Sequence, residues 1–241
     1  MQKTCLLFPG QGSIKLSGNL TGASQLITSA ITLADALKFM KDNPGEFTAV
    51  GHSLGEFAMF CAAGVFTAEE MFNILDVRAT AMKAACEAVP GAMYAVIGIP
   101  AGEIALEGDV WAVNFNSDVQ TVISGELGAV TAAAEKLSQA GVKTVKLDVA
   151  GAFHTKFMEP AAKTLRDYLA DKKWSKPEFP LYSTYTGKLF TDFDNLPEYL
   201  YNQMISPVRF TDAIKAIRAD NPDIAFHEYG KTLTGMLKRI K

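Results

Sequence analysis

Ser53 lies at the centre of a G-x-S-x-G pattern, Gly51-His52-Ser53-Leu54-Gly55. In such a pattern the serine occupies a sharp turn between a strand and a helix, and the small flanking residues let the two backbones pass closely. The turn exposes the hydroxyl, and the N–H of Leu54 then lies at a helix N-terminus, where it can stabilise an oxyanion. The pattern predicts a nucleophilic serine; the alternative is a structural serine in a Gly-rich turn.

A serine nucleophile needs a base within hydrogen-bond reach of its hydroxyl. The sequence offers three histidines, His52, His154 and His227. His52 adjoins the serine, so we expect its side chain to leave the turn in another direction, and His227 falls in a predicted strand. His154 is predicted to lie in a loop between a strand and a helix, where active-site residues cluster. The sequence therefore favours His154 as the base.

The elements that must position these residues indicate an α/β fold. Apolar runs over 4–8 and 47–50 predict short buried strands, and the second one leads directly into the serine turn. A Gly- and Ser-rich loop is predicted over 10–24, and a helix with regular apolar spacing follows it. Thr67 and Glu70 form a capping-box pattern, which predicts the start of a further helix.

Residues 88–149 are predicted to form a small inserted subdomain. The elements in this stretch follow the order β-α-β-β-α-β, with a short acidic helix between the first two strands, which matches a ferredoxin-like unit. Residues 1–87 and 150–241 form the predicted catalytic domain, which is α/β-hydrolase-like with a parallel-sheet core. Its second part contains predicted strands over 180–185 and 224–228.

The composition favours a folded core over disorder, since apolar residues make up 49% of the chain and charged residues 20%. The formal net charge is -3 and no basic patch is evident, so we expect no nucleic-acid partner. The three cysteines, none at metal-ligand spacing, favour free thiols in a cytoplasmic protein. Neither a secretory signal nor an apolar stretch of membrane-spanning length is evident, so no membrane partner is expected.

FPGQGS, GHSLGE and seven further segments of the chain resemble, in the same order, those of malonyl-CoA:acyl-carrier-protein transacylases. FPGQGS at 8–13 and GHSLGE at 51–56 look like the paired signatures of this family. The other segments are VRATAMKAA, GAMYAVIG, VNFNS, QTVISG, GAFHTKFMEPAA, QMISPVRF and LTGMLKRI. The resemblance covers nearly the whole chain and is far more specific than G-x-S-x-G alone.

This resemblance implies an acyl-serine mechanism in which each residue has a defined role. Ser53 is the nucleophile that becomes acylated, and His154 is its general base and then the general acid for the departing thiol. The imidazole of His154 is oriented by a backbone carbonyl instead of a carboxylate, and the matching position is Gln203. The N–H groups of Gln11 and Leu54 supply the oxyanion hole.

The resemblance also implies that Arg78 binds the free carboxylate of a malonyl group. A guanidinium binds a carboxylate through two parallel hydrogen bonds, and a buried arginine left unpaired penalises an uncharged acyl group. From the residues alone, Arg78 would be a solvated arginine on a helix. Asn114 and Asn116, which would otherwise be loop residues, are expected to line the substrate cleft.

The implied reaction follows a ping-pong course. Ser53 attacks the thioester of malonyl-CoA, coenzyme A leaves, and the phosphopantetheine thiol of an acyl carrier protein attacks the acyl-serine. Malonyl-CoA and an acyl carrier protein are the expected substrate and partner, and no metal or redox cofactor is expected. Water must be kept from the acyl-enzyme, which suits a narrow cleft between the large domain and the insert.

Four features depart from the family pattern. Only 37 residues separate Ser13 from Gly51, where the family has a longer segment with extra helices. Ile14 stands where the family has a glutamine. The NSP-x-Q motif reads NSDVQ at 116–120, and a Gly-Pro-Gly near the C-terminus is shortened at 230–231. The positions that would carry the chemistry are intact, so activity is expected.

Three alternative functions stay open from the sequence. A discrete acyltransferase of a polyketide synthase or a malonate decarboxylase would use the same residues with a different carrier protein. A serine esterase or thioesterase expects an acid between the serine and the histidine in chain order, for which Asp109, Asp118 and Asp148 are available. A shortened relative that serves as a binding subunit would form no acyl-enzyme.

Overall fold

The computed structural model describes residues 3–14, 23–149 and 151–241. Residues 15–22 of the predicted Gly- and Ser-rich loop lie outside these ranges, as does residue 150, where the second part of the large domain is predicted to begin. Within the described residues the chain forms nine strands, which are β1 (Thr4–Phe8), β2 (Phe47–Gly51), β3 (Gly91–Ile97), β4 (Val110–Ser117), β5 (Gln120–Glu126), β6 (Lys143–Lys146), β7 (Leu181–Ser183), β8 (Lys188–Leu189) and β9 (Ala225–Glu228).

Eight α-helices lie in the same described ranges. They are α1 (Ser24–Asp42), α2 (Gly55–Ala62), α3 (Ala68–Ala88), α4 (Leu127–Gln139), α5 (Glu159–Leu169), α6 (Leu196–Ile205), α7 (Phe210–Asp220) and α8 (Thr232–Leu237). The predicted capping box is present at the start of α3, where Thr67 and Glu70 each bind the other's backbone N–H. None of these helices combines the length and the hydropathy that a membrane-spanning helix requires.

The larger sheet has five strands in the order β8-β7-β2-β1-β9. β7, β2, β1 and β9 run parallel, and β8 pairs antiparallel with β7 at one edge. Parallel strands are covered on both faces, which explains the continuous apolar runs of β1 and β2. Phe8 lies beside Gly51 in the register. The loops that follow β1 and β2 therefore begin side by side at the carboxyl edge of the sheet.

Helices cover both faces of this sheet. Alternate residues of β1 point to opposite faces, with Leu6 and Phe8 in one apolar cluster and Cys5 and Leu7 in the other. The first cluster includes residues of α1, α2, α3, α5 and α6, and the second includes residues of α7 and α8. This three-layer packing fixes the carboxyl edge of the sheet, where the serine turn lies.

The smaller sheet has four antiparallel strands in the order β4-β5-β3-β6, with α4 packed against it. All four strands lie within the predicted insert 88–149, and their chain order is ferredoxin-like. The helix predicted between the first two strands is wrong, since only a 3-10 turn over Ala101–Glu103 forms there. Glycines at 98, 102 and 108 disfavour a longer helix. The exact boundaries of the insert stay a prediction.

The edge strand β4 joins the two parts of the molecule. The Phe115 N–H donates to the Val208 carbonyl at 2.9 Å, and the Val208 N–H donates to the Val113 carbonyl at 2.7 Å. The pairing of β4 with β5 shifts register twice over 112–117, and such bulges re-aim side chains near active sites. The face of β4 is thereby fixed beside the carboxyl edge of the larger sheet.

Candidate active site

The serine turn is built as the G-x-S-x-G pattern predicts. Ser53 follows β2 and precedes α2, and its φ of 53° lies in the left-handed region. A Cβ atom on Gly51 would come within 2.3 Å of the Glu56 nitrogen, and one on Gly55 within 1.9 Å of the Phe8 carbonyl oxygen. Both positions therefore require glycine, and the close approach of α2 to β1 holds Ser53 at the edge of the sheet.

The side chain of His154 contacts the serine. Its Nε2 atom lies 2.7 Å from the Ser53 Oγ atom. His154 lies in the loop between β6 and α5, has a φ of 61° and is only 5% exposed. The Thr155 hydroxyl donates to the Ala152 carbonyl at 2.7 Å and closes this loop. The structure thus brings together the two residues predicted as nucleophile and base.

Two backbone carbonyls orient the imidazole. The Nδ1 atom of His154 lies 3.1 Å from the Gln203 oxygen and 3.1 Å from the Ser206 oxygen. Carbonyl oxygens only accept hydrogen bonds, so Nδ1 must carry the proton, and Nε2 presents its lone pair to the Ser53 hydroxyl. These carbonyls lie at the end of α6, where a helix leaves its last carbonyl groups without intrahelical partners.

The surroundings keep His154 neutral. Burial, followed by the coulombic effects of Arg78 and His52, lowers the pKa of His154 to about 3, against the two carbonyl contacts that raise it. Burial also lowers the pKa of His52, although its contact with Asn116 opposes this. A neutral imidazole is the form that can accept a proton from Ser53.

The two residues predicted for the oxyanion hole lie in the two loops that begin side by side at the carboxyl edge of the larger sheet. Leu54 follows Ser53 directly at the start of α2, and Gln11 lies in the loop after β1, which begins next to the end of β2. The side-chain amide of Gln11 donates to the Ser24 hydroxyl at 3.0 Å, which anchors this loop to α1. Neither backbone N–H, of Gln11 or of Leu54, donates to another described residue. Both N–H groups are therefore available to a substrate oxygen.

Arg78 lies on α3 and is 3% exposed, which excludes the solvated arginine considered from the sequence. Its Nη1 donates to the Gln25 Oε1 atom at 2.5 Å, and its guanidinium carbon lies 5.3 Å from the centre of the Phe57 ring. The Nε atom has no partner among the described residues, and none of their carboxylates forms an ion pair with it. Burial lowers the pKa of Arg78 to about 10, so the group stays cationic.

Asn114 and Asn116 lie on β4 at a cleft between the two sheets. Both line a cavity of about 250 Å³, together with His52 and the loop after β1. The Asn116 Oδ1 atom lies 2.8 Å from the His52 Nε2 atom, whereas the Asn114 Oδ1 atom has no partner among the described residues. A larger cavity of about 610 Å³ opens near Gln11 and is also lined by Gln25.

None of the acids considered for a hydrolase triad, Asp109, Asp118 and Asp148, forms a hydrogen bond to the imidazole of His154, whose partners are Ser53, Gln203 and Ser206. Asp109 pairs with Lys156 at 2.6 Å, and Asp118 pairs with Lys215 at 2.9 Å. The positions that a carboxylate would need around His154 are taken by the two carbonyls. In the described part of the chain, His, Cys, Asp and Glu side chains also form no group of three or more that could hold a metal ion.

Comparison with known proteins assigns the family. Residues 24–229 match the acyl transferase domain. The chain belongs to this family. It is 31% identical over 246 residues to a malonyl-CoA-acyl carrier protein transacylase of Bacillus subtilis, with 98% of this chain and 76% of that protein covered. To the protein of the same name from Escherichia coli K12 it is 35% identical over 202 residues, with 79% and 64% covered.

The fold of this acyl transferase is shared with solved structures. A malonyl-CoA:acyl carrier protein transacylase of Xanthomonas oryzae superimposes with a TM-score of 0.86 at 28% identity, covering 100% of this chain and 93% of that one. Between Ser13 and Gly51, the segment predicted to be shortened, α1 is the one α-helix of the described residues. The first two residues of α1, Ser24 and Gln25, contact Gln11 and Arg78, so the shortened segment still reaches the site.

Three polar residues of the site were missed from the sequence. Ser206 supplies the second carbonyl to His154, Gln25 binds Arg78, and Glu56 is fully buried beside the serine turn. Glu56 alone had a visible signal, since a charged residue in the apolar run EFAMFCAAG is unusual for a buried helix. A backbone carbonyl has no side-chain signature, and Gln25 is polar like many helix residues.

Proposed function

We propose that this acyl transferase moves a malonyl group from malonyl-CoA to the phosphopantetheine thiol of an acyl carrier protein through an acyl-Ser53 intermediate. The observation that carries the proposal is a buried guanidinium, that of Arg78, next to a Ser–His pair and without an acidic partner among the described residues. Relatives that bear this activity in their names cover nearly the whole chain, which supports the same substrate and partner here.

In the first half-reaction the Ser53 Oγ atom attacks the thioester carbon of malonyl-CoA while His154 Nε2 takes the hydroxyl proton. The two carbonyls on Nδ1 hold the ring and stabilise the imidazolium that forms. The negative charge on the thioester oxygen is stabilised by the N–H groups of Gln11 and Leu54. The C–S bond then breaks, and the imidazolium returns its proton to the sulfur of coenzyme A.

In the second half-reaction the phosphopantetheine thiol gives its proton to His154 and attacks the malonyl ester of Ser53. The ester bond breaks, and Ser53 regains a proton from the imidazolium. One thioester is consumed and one is formed, without oxidation or reduction. We infer that neither a redox cofactor nor a metal ion takes part, since His154 supplies the acid and base and two N–H groups supply the oxyanion hole.

Arg78 would select the acyl group. Its Nη1 is used by Gln25, and its Nε has no partner among the described residues, so a carboxylate can bind through the Nε edge of the guanidinium. The bound carboxylate would also neutralise a charge that lowers the pKa of His154. A malonyl group would therefore raise the basicity of the imidazole as it binds, which an acetyl group cannot do.

The location of this activity is proposed to be the cytoplasm, with no membrane and no nucleic acid as partner. The three cysteines, Cys5, Cys61 and Cys86, are free thiols, which fits a reducing compartment. Burial raises the pKa of all three, most strongly at Cys5, so none is activated as a nucleophile.

The decisive experiment is intact-protein mass spectrometry after mixing with malonyl-CoA in the absence of a carrier. One stable malonyl adduct is expected, absent in Ser53→Ala and discharged by a phosphopantetheinylated carrier protein. Rapid turnover to free malonate without a carrier would identify a thioesterase instead. The absence of any adduct would indicate a binding subunit that forms no acyl-enzyme. Comparing fatty acid and polyketide carrier proteins as acceptors would then separate the fatty acid role from the polyketide role.

A further inference from the structure

Glu56 lies three residues after Ser53, in the first turn of α2, and its side chain is fully buried. Burying a carboxyl group costs free energy unless hydrogen bonds compensate. Neither half-reaction uses this group, and it lies outside the acyl-binding side formed by Arg78.

Three hydrogen bonds converge on the Glu56 carboxylate. Its Oε1 atom accepts from the Thr184 N–H at 3.0 Å and from the Thr184 hydroxyl at 2.8 Å. Its Oε2 atom accepts from the Tyr199 hydroxyl at 2.9 Å. Burial, opposed by the contacts with Thr184, Tyr199 and Gln203, raises the pKa of Glu56 to about 7. The carboxylate therefore ties α2, the end of β7 and α6 together.

Tyr199 connects this carboxylate to the base. It lies on α6 four residues before Gln203, whose carbonyl accepts from His154 Nδ1. Residues four apart in an α-helix are joined by a backbone hydrogen bond and lie on the same face. A displacement of Tyr199 therefore moves the Gln203 carbonyl with it. The Gln203 side-chain amide, which donates to the Ser53 carbonyl at 2.9 Å, is a second tie between α6 and the turn.

These contacts form a closed ring. From the Ser53 hydroxyl the ring passes through His154 to the Gln203 carbonyl, along one turn of α6 to Tyr199, and across to Glu56. It closes along α2, where the Glu56 N–H donates to the Ser53 carbonyl at 3.1 Å. Ser53 is connected to the Glu56 carboxylate through one turn of α2, and His154 is connected to it through one turn of α6.

We infer that Glu56 is a positioning residue, which holds α6 against the serine turn so that the Gln203 carbonyl keeps His154 in its Nδ1–H tautomer. The inference rests on the proposed function, because it requires His154 to act as the base of Ser53. Glu56 does not contact the reacting atoms and acts through Tyr199 and α6.

Tyr199→Phe tests this link, because it removes the hydroxyl and keeps the ring. We expect kcat for malonyl transfer to fall about tenfold while KM for malonyl-CoA stays within about twofold, since Arg78 is untouched. Tyr182→Phe is the matched control, because the Tyr182 hydroxyl donates to the Asp220 carboxylate at 2.6 Å on another part of the molecule. The control should keep kcat within about twofold.

Two variants of Glu56 distinguish the effect of its side-chain hydrogen bonds from the effect of its negative charge. Glu56→Ala removes the tie, and kcat should fall by about 100-fold. In Glu56→Gln the amide oxygen can still accept from the Thr184 N–H, and the amide nitrogen can donate to the Tyr199 oxygen. The Tyr199 hydroxyl can then donate to Ser183, whose Oγ atom lies 2.7 Å away. This conservative variant should therefore restore kcat to within about threefold of the unmodified protein.

Histidine NMR provides a readout that a purely structural role would not move. The chain has three histidines, so the ring-nitrogen spectrum of ¹⁵N-labelled protein contains three sets of signals. His154 should show a single Nδ1–H tautomer at neutral pH in the unmodified protein and in Tyr182→Phe. A mixture of tautomers is expected in Tyr199→Phe and Glu56→Ala.

Several results would overturn the positioning role. They are unchanged kcat and unchanged His154 signals in Tyr199→Phe, an equal loss of kcat in Tyr182→Phe, or a Glu56→Gln variant as slow as Glu56→Ala. A failure of the proposed function looks different, because the unmodified protein would then form no malonyl adduct on Ser53. The two failures are thus distinguishable in the same set of samples.

Discussion

The two sides of Ser53 differ in their hydrogen bonding. On the base side, which carries His154, the buried polar groups are, with one exception, hydrogen-bonded within the protein. On the acyl-binding side, which carries Arg78, some buried polar atoms have no partner among the described residues. Both ring nitrogens of His154 have partners: Nε2 contacts the serine hydroxyl, and Nδ1 contacts two backbone carbonyls. Arg78 Nε and Asn114 Oδ1 have no such partner, and on the base side the same holds for the Gln203 amide oxygen alone. Buried polar groups are nearly always hydrogen-bonded.

This difference separates chemistry from recognition. On the base side both ring nitrogens of His154 have partners before a substrate arrives, so the Ser53–His154 contact forms without a contribution from the acyl group. The acyl-binding side is complementary to a polar group that the substrate supplies. A change on the base side should therefore affect every acyl group alike, whereas a change at Arg78 should affect one acyl group more than another.

The largest effect is expected on the base side, from His154→Ala. Without a base at Nε2, acylation of Ser53 at neutral pH should slow by about 10³-fold or more for malonyl-CoA and acetyl-CoA alike. Rapid-quench mass spectrometry would measure the rate. His227→Ala is the matched control, because His227 pairs with Asp35 at 2.7 Å and has no part in the site. Full acylation by His154→Ala would place the base elsewhere.

Arg78→Ala should distinguish the acyl-binding side from the base side most clearly, because it should affect the two acyl groups differently. Malonyl transfer should fall by about 100-fold, while acetyl transfer is spared or rises, since a cation that lowers the pKa of His154 is removed. The ratio of kcat/KM for the two thioesters is the measurement. Arg166→Ala serves as the control, because Arg166 is more exposed and pairs with Asp167. An equal fall for both acyl groups would contradict the role of Arg78.

Asn116→Ala tests the contact that links the serine turn to β4. It would leave a ring nitrogen of the buried His52 without its partner, which costs about 1–3 kcal/mol in the free energy of unfolding. Denaturant unfolding would measure the loss. Ser117→Ala is the control, because its hydroxyl accepts only one long contact, from the Val119 N–H at 3.4 Å. Equal stability of the two variants would show that the His52 contact contributes nothing.

The smallest change is expected on lowering the pH. The base must be neutral, and a histidine with an ordinary pKa near 6.5 would lose about tenfold of its neutral form by pH of about 5.5. Because the pKa of His154 is lowered to about 3, kcat/KM for malonyl-CoA should fall less than about twofold over this range. Repeating the profile in Glu56→Gln excludes titration of Glu56. An acid limb near 6.5 in both proteins would refute a depressed pKa at His154.

The sequence predicted the elements of the site better than their contacts. The turn at Ser53 is local, because Gly51 and Gly55 leave a pattern that can be read within five residues. The pairing of Ser53 with His154 spans 101 positions, so the residues alone could only favour it over the two other histidines. The carbonyl of Gln203 entered through the family resemblance alone, since every residue carries a carbonyl.

The fold shows the same division between local and distant signals. Apolar runs predicted β1, β2 and β9 with errors of one residue at most, because buried parallel strands are continuous in sequence. The two-residue strand β8 is too short to show a periodic pattern of apolar residues, and it was not predicted. The burial of Arg78 could not be predicted from α3, because it depends on Gln25 and Phe57 in other helices.

The left-handed backbone of Ser53 also restricts which nucleophile this site can use. A β-branched residue with positive φ is a genuine outlier, because its second branch crowds the backbone. Threonine carries the same hydroxyl chemistry, yet it would strain the turn on which the whole pocket is built. Cysteine is unbranched and would fit. This turn therefore accommodates cysteine in place of Ser53 more readily than it accommodates threonine.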